Sequence, residues 1–180
     1  MTKYRVLVLV AAWIVVGGIM MAAAKQKTEK PEFSRTTIDL GVVVSDVEKA
    51  AKFYTEAIGF TQTGGFDVAG QMASDTGLTD NKPFQVRVFT LGKEPTATNL
   101  KIMQIPGADS KKVDNQYISS SLGFRYLTIM VSDLTRTMER LKRNGIAPVK
   151  EPYRLSGGNS YLILVKDPDG NTIELIGPKQ

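Results

Sequence analysis

Residues 37–60 read TIDLGVVVSDVEKAAKFYTEAIGF, and this stretch decides the fold. Its first eight residues are rich in β-branched side chains and predict a strand. The run VEKAAKFYTEAI at 47–58 carries apolar residues at helical spacing and predicts a helix. Asp46 can cap the start of that helix with its carboxylate, and Gly59 can take the left-handed conformation that ends it. A strand followed directly by a helix is therefore expected here.

The same pattern returns in the second half of the chain. Residues 124–146 read FRYLTIMVSDLTRTMERLKRNGI, which again places a β-rich run before Ser132 and Asp133 and a Gly after the helical stretch. Three further strand-like runs follow each helix, at 60–63, 85–91 and 99–105 in the first half and at 149–153, 161–166 and 172–176 in the second. Each half is therefore predicted to be a βαβββ module, and the two modules are expected to pair their sheets.

Module boundaries follow from the polar stretches between these runs. The first module is predicted at 37–107 and the second at 122–180, with linkers at 25–36 and 108–121. Residues 167–171, DPDGN, join the last two strands, and Pro at the second turn position with Gly where φ must be positive predicts a tight hairpin. The connection at 67–83 is long for a hairpin, so it either covers a cleft or forms a surface excursion.

The N-terminus predicts export. Lys3 and Arg5 precede an uncharged stretch at 6–24 that ends in three alanines. We interpret 1–24 as a signal peptide cut after Ala24, which places the protein in the periplasm or outside the cell. The alternative is an uncleaved membrane anchor at 6–24. Cleavage would remove Lys3 and Arg5 and lower the net charge from +5 to +3.

Composition excludes much of the usual site chemistry. The 180 residues contain no Cys and no His. Structural zinc, iron–sulfur clusters, disulfides, Cys–His nucleophiles and Ser–His–Asp triads each need one of these side chains. The small positive excess is scattered along the chain, so nucleic acid is not an expected partner.

The βαβββ repeat, FYTEAIGF at 53–60 and DPDGNTIEL at 167–175 together resemble the vicinal-oxygen-chelate superfamily. That superfamily includes glyoxalase I, extradiol dioxygenases, fosfomycin-modifying enzymes and bleomycin-resistance proteins. The resemblance covers residues 37–177 and implies an α+β fold in which two paired βαβββ modules form a curved sheet around a cleft. In such proteins a divalent metal typically lies among side chains from the first and last strands of the modules.

Transferring the family's metal positions residue by residue shows where this chain departs. Asp39 and Tyr126 stand where the family usually has His, and Lys101 and Glu174 stand at the two positions that usually hold Glu. An ammonium repels a divalent ion, so no metal or other cofactor is expected, with Asp39 and Glu174 left as candidates for weak Mg²⁺ or Ca²⁺ binding. We expect the Lys101 ammonium to take the ion's place, within hydrogen-bond distance of Asp39 or Glu174.

Strand alternation adds the neighbours that would share the cleft. The ligand-binding candidates are Asp39, Lys101, Met103, Tyr126, Thr128 and Glu174. The plainer alternatives are exposed strand carboxylates, an edge-strand lysine and a core tyrosine.

Two classes of function stay open. The first is a metal-free protein that binds a small organic ligand. The second is a lyase or isomerase of glyoxalase type, with Glu174 as base and Tyr126 as acid. A membrane contact is expected only if 6–24 stays uncleaved, and a homodimer stays open.

Overall fold

A computed structural model describes residues 31–180, so the predicted signal segment and the first half of the linker 25–36 lie outside the described residues. Residues Arg35–Gln180 form one unit, to which everything below refers. The first module contains β1 (Leu40–Val43), α1 (Val47–Lys52) continued by a π-helical segment (Phe53–Ile58), β2 (Thr61–Val68), α2 (Gly70–Asp75), β3 (Phe84–Thr90) and β4 (Asn99–Gln104). The second contains β5 (Tyr126–Met130), α3 (Leu134–Arg143), β6 (Tyr153–Arg154), β7 (Ser160–Lys166) and β8 (Thr172–Pro178).

The two modules build two four-stranded sheets with the same topology. Their strand orders are β1-β4-β3-β2 and β5-β8-β7-β6. The first and last strands of each module pair in parallel, and the other pairs are antiparallel. The α+β fold of two βαβββ modules predicted from the repeat is confirmed.

One face of each sheet packs on the helices, and the core spans both modules. Ile173 and Leu175 of β8 are 0% and 1% exposed, in the same cluster as Phe89 and Ile102 of the first sheet. The alternate residues face the other way, since Tyr126 and Met130 are 51% and 71% exposed. This alternation is the one predicted for β5 and β8.

The helix ends form as the sequence predicts, apart from one turn. The Asp46 carboxylate accepts hydrogen bonds from the backbone N–H of Glu48 and Lys49, and Gly59 has a φ of +98°. Residues Phe53–Ile58 are π-helical rather than α-helical, because the Gly59 N–H bonds to the Tyr54 carbonyl five residues back. The wider turn ends the helix with Phe53 and Tyr54 both buried.

Several contacts tie the two modules together. The Tyr54 hydroxyl donates to the Asp167 carboxylate at 3.1 Å, and the Ser45 N–H donates to Asp169 at 3.0 Å. The DPDGN hairpin forms as predicted, with Gly170 at a φ of +87°. From α3, the Arg140 guanidinium donates to the carbonyls that end the π-helical segment. The hairpin motif thus serves as a joint between modules as well as a turn.

Two strand predictions were inaccurate. β2 extends to Val68, well beyond the predicted 60–63, so the connection to β3 is 69–83 and contains α2. The predicted strand at 149–153 shrinks to Tyr153–Arg154. The Val149 N–H still bonds to the Leu164 carbonyl of β7, but Pro152 within the run has no N–H to give to a ladder.

The 69–83 connection covers part of the first sheet. Ala73 of α2 is fully buried with Val86 of β3, and Val88 and Met103 pack against the same cluster. Val88 pairs with Lys101 in the ladder, so this cluster lies on the face opposite the helices. The segment is therefore packed on the sheet through α2, and none of its residues lines a cavity recorded within residues 31–180. Among residues 31–180 the longest apolar helix falls short of what a membrane crossing requires.

Candidate functional site

The predicted site positions occupy equivalent places in the two sheets. Gly41 of β1 is the register partner of Lys101, and Thr128 of β5 is the register partner of Glu174. Asp39 lies two residues before Gly41, and Tyr126 two residues before Thr128. Because side chains two apart in a strand share a face, these candidates lie on the faces turned away from the helices.

Asp39 is the centre of a cluster of hydrogen-bond donors. Its carboxylate receives the Lys101 ammonium at 2.9 Å, the Arg35 guanidinium at 2.7 Å and the Asn99 amide at 3.0 Å. The Lys101 hydrogen bond, with support from Arg35 and Asn99 and against the opposing effect of burial, lowers the pKa of Asp39 from 3.8 to about 2. Lys101 therefore lies beside Asp39, as the sequence predicted.

The second-module candidates form a separate contact. The Thr128 hydroxyl donates to a Glu174 carboxylate oxygen at 2.8 Å. Within residues 31–180, no hydrogen bond or ion pair links Glu174 to the Asp39 cluster, and none involves the Tyr126 hydroxyl. The same residues contain no group of three or more Asp or Glu placed to hold a metal ion.

A cavity of about 300 Å³ is lined by residues of β1 in the first module and of β5 in the second, and we call it the seam cavity. Its lining residues are Ile38, Asp39, Leu40, Gly41, Val42, Tyr54, Leu100, Phe124, Arg125, Tyr126, Leu127, Asn171, Thr172 and Ile173. Consecutive residues of β1, Leu40 to Val42, line it, so the cavity is reached from both faces of that edge strand. Of the predicted site residues only Asp39 and Tyr126 line it.

Sequence reasoning missed Phe124 and Arg125 as site residues. Phe124 is fully exposed beside the cavity, and a large apolar residue two positions before Tyr126 was the available signal. The Arg125 guanidinium donates to the carbonyls of Ile118 and Asp114 and to the side-chain oxygen of Asn115, at 3.3, 2.8 and 2.6 Å. Nothing in the local sequence predicts these contacts with the linker.

Comparisons with known proteins agree on one family. The family model described as the glyoxalase/bleomycin resistance protein/dioxygenase superfamily matches residues 36–175. A lactoylglutathione lyase of Arabidopsis thaliana is 27% identical over 160 residues, which is 87% of this chain and 49% of the relative. A probable lactoylglutathione lyase of Synechocystis is 26% identical over 138 residues, covering 74% of this chain and 88% of the relative. The chain thus spans about half the length of the Arabidopsis relative and most of the Synechocystis one.

Solved structures agree on the fold. A glyoxalase family protein from Bacillus cereus superposes with a TM-score of 0.68 at 19% identity, covering 84% of this chain and 99% of that one. Glyoxalase I from Zea mays superposes with a TM-score of 0.61 at 23% identity, covering 81% of this chain and 45% of that one. At these identities the likeness concerns the arrangement of strands and helices.

Proposed function

The chain belongs to the glyoxalase/bleomycin resistance protein/dioxygenase superfamily, and from this premise we propose that it binds a small organic ligand at the seam cavity without a divalent metal at the family's usual position. The cavity volume, about 300 Å³, is at the lower end of the range typical of ligand pockets. Its walls are mostly apolar, with a few polar groups that can orient a ligand. The apolar stretch at 6–24 leads us to propose also that the protein is exported.

The observation that carries the metal-free proposal is the Lys101–Asp39 ion pair. An ammonium 2.9 Å from a carboxylate already supplies the positive charge that a divalent ion would bring to that position. A hard ion such as Mg²⁺ or Ca²⁺ needs several converging oxygens, and here Asp39 and Glu174 belong to separate contacts. The residues at the four transferred positions therefore do not fit a divalent ion.

A glyoxalase-type lyase or isomerase is the second candidate. It is favoured by the relatives, which carry the name lactoylglutathione lyase, and by Glu174, a carboxylate fixed by the Thr128 hydroxyl on an accessible face. In this second candidate Glu174 acts as the base and Tyr126 as the acid. Loss of turnover in Glu174→Gln with unchanged folding would support this second candidate.

Ligand-observed NMR with a fragment library tests the binding proposal. We expect fragments that bind wild-type protein to lose affinity in Tyr126→Ala, which removes a cavity wall, and to keep it in Tyr153→Ala. Tyr153 is the matched control because it is 70% exposed on β6 and does not line the cavity. Fragments that respond equally to both substitutions would place binding elsewhere and refute the proposal.

Metal dependence is tested separately by thermal unfolding. A ligand that binds only the folded state raises the free energy of unfolding by RT ln(1 + [L]/Kd), and the unfolding temperature rises with it. We expect Mg²⁺, Mn²⁺, Ni²⁺ and Zn²⁺ to leave the midpoint unchanged, and elemental analysis to find no bound metal. Specific stabilisation by one ion that Asp39→Asn abolishes would contradict the metal-free proposal.

A further inference from the structure

The seam cavity has an aromatic wall that no other ring of the described chain covers. Phe124 is 103% exposed and Tyr126 is 51% exposed, and both line the cavity. A third lining ring, that of Tyr54, pairs with Phe53 and Phe60, whereas within residues 31–180 neither Phe124 nor Tyr126 has an aromatic partner. Aromatic rings pack favourably against a second ring in an offset or edge-to-face arrangement. A planar apolar group in the cavity would therefore pack well against Phe124 and Tyr126.

The cavity lining carries one carboxylate, that of Asp39, and one guanidinium, that of Arg125. Asp39 is already paired with Arg35 and Lys101, neither of which lines the cavity. Arg125 hydrogen-bonds only to neutral oxygens, and residues 31–180 contain no carboxylate in ion-pair contact with it. An anionic group at the cavity would therefore meet a guanidinium whose charge is not neutralised.

Asp167, the buried carboxylate of the described residues, does not neutralise Arg125. Asp167 is 5% exposed and does not line the cavity. It accepts hydrogen bonds from the Tyr54 hydroxyl, from the backbone N–H of Asp169 and Asn171, and from the Asn171 side-chain amide. Its charge is thus engaged by four donors within the module joint.

We propose that the seam cavity selects aromatic carboxylates, with the ring against Phe124 and Tyr126 and the carboxylate toward the Arg125 guanidinium. This rests on the proposed function, since it names the class of small organic ligand that the same site takes. Hydrogen bonds between ionised partners are about twice as strong as neutral ones. A carboxylate should therefore be preferred over a hydroxyl or an ammonium on the same ring.

Three probes with one ring system test the charge preference. Binding of 2-naphthoate, 2-naphthol and 2-naphthylmethylamine to the full chain is measured by isothermal titration calorimetry at pH 7. We expect 2-naphthoate to bind at least about tenfold more tightly than either of the others. Arg125→Gln, which keeps amide N–H groups for the linker oxygens but removes the charge, should abolish that preference, and Arg125→Lys should retain part of it.

A matched pair of exposed residues tests the location. Phe124→Ser should weaken 2-naphthoate binding about three- to tenfold, the range that one aromatic contact supplies. Leu122→Ser is the control, because Leu122 is equally exposed at 100% and does not line the cavity. Since both side chains lie in solvent, neither substitution should change folding, and Leu122→Ser should leave affinity within about twofold.

The outcomes separate this inference from the proposed function. Equal binding of the three probes, each weakened by Tyr126→Ala, would overturn the aromatic carboxylate while leaving a small-molecule site in place. Preferential binding of 2-naphthoate that Phe124→Ser and Leu122→Ser affect equally would overturn the location. No binding of any probe would overturn the inference, and the fragment experiment then decides whether the proposed function fails as well.

Discussion

Replacing Lys101 with Met removes the ammonium from the Asp39 cluster and keeps the apolar stem. The shift in the pKa of Asp39 from 3.8 to about 2 corresponds to roughly 2.5 kcal/mol, the net of what its donors contribute and what burial opposes. Lys101 is one of three donors, and its side chain is 34% exposed, so water screens the pair. We therefore expect Lys101→Met to lower the free energy of unfolding by about 1 kcal/mol.

That figure is smaller than the roughly 3–5 kcal/mol lost when one side of a fully buried pair is removed. The reason is that Asp39 keeps Arg35 at 2.7 Å and Asn99 at 3.0 Å, so its charge is not left alone. In urea, with a slope of about 2 kcal/mol/M, the unfolding midpoint should fall by about 0.5 M. The control is Lys111→Met, an exposed lysine of the linker that makes no ion pair within residues 31–180.

The pH dependence of the difference identifies its cause. The pKa of Asp39 is lowered in the folded protein, so its contribution is fully present above pH 3.8 and is lost as the pH falls toward 2. The gap between Lys101→Met and Lys111→Met should therefore be constant from pH 7 to pH 5 and shrink below about pH 4. Equal midpoints for the two variants at pH 7 would refute the reasoning.

Three further predictions concern the module joint, the metal and export. Tyr54→Phe should lower the free energy of unfolding by about 1 kcal/mol, because it removes a hydrogen bond to buried Asp167, whereas Tyr117→Phe at an exposed position should not. Burial raises the pKa of Tyr54 above 10, so wild-type stability should fall as the pH rises past 10, and less so in Tyr54→Phe. Turnover of the methylglyoxal–glutathione adduct that a chelator abolishes and Ni²⁺ or Zn²⁺ restores should be absent, and its detection would contradict the metal-free site. Protein from an exporting host should begin at Lys25 and lack tryptophan emission, since Trp13 is the only Trp in the chain; emission from fully processed protein would contradict cleavage.

The fold was predictable because its signals are local and occur twice. Each module carries a cap, a helix stripe and a terminal Gly within one short stretch, and Asp46, Asp133 and Gly59 all take the roles that their positions predict. The short β6 was also predictable, since Pro152 lies within the predicted run and cannot donate to a ladder. The π-helical turn at Phe53–Ile58 was not predictable, because it depends on burying Phe53 and Tyr54 against a core drawn from both modules.

The site was predictable only within each sheet. Register follows from alternation and strand pairing, which is why Lys101 meets Asp39 as expected. The seam cavity depends instead on how the edge strands β1 and β5 approach each other, and that distance is set by packing beneath both sheets. Arg125 is positioned by linker oxygens at residues 114–118, and no spacing rule connects a strand residue to such a linker.

The two sheets pair their strands in the same way, but the faces that carry the site positions are covered to different extents. In the first module the connection at 69–83 folds α2 onto the face that carries Lys101, so Val88 and Met103 are partly covered. In the second module β6 and β7 are joined by a short turn at 155–159, and the matching face leaves Tyr126 and Met130 exposed. A symmetric site at the centre of the two sheets would need matched faces, which this chain lacks. The asymmetry instead leaves Tyr126 of β5 and the preceding Phe124 accessible beside the seam, where the proposed ligand would contact both modules at once.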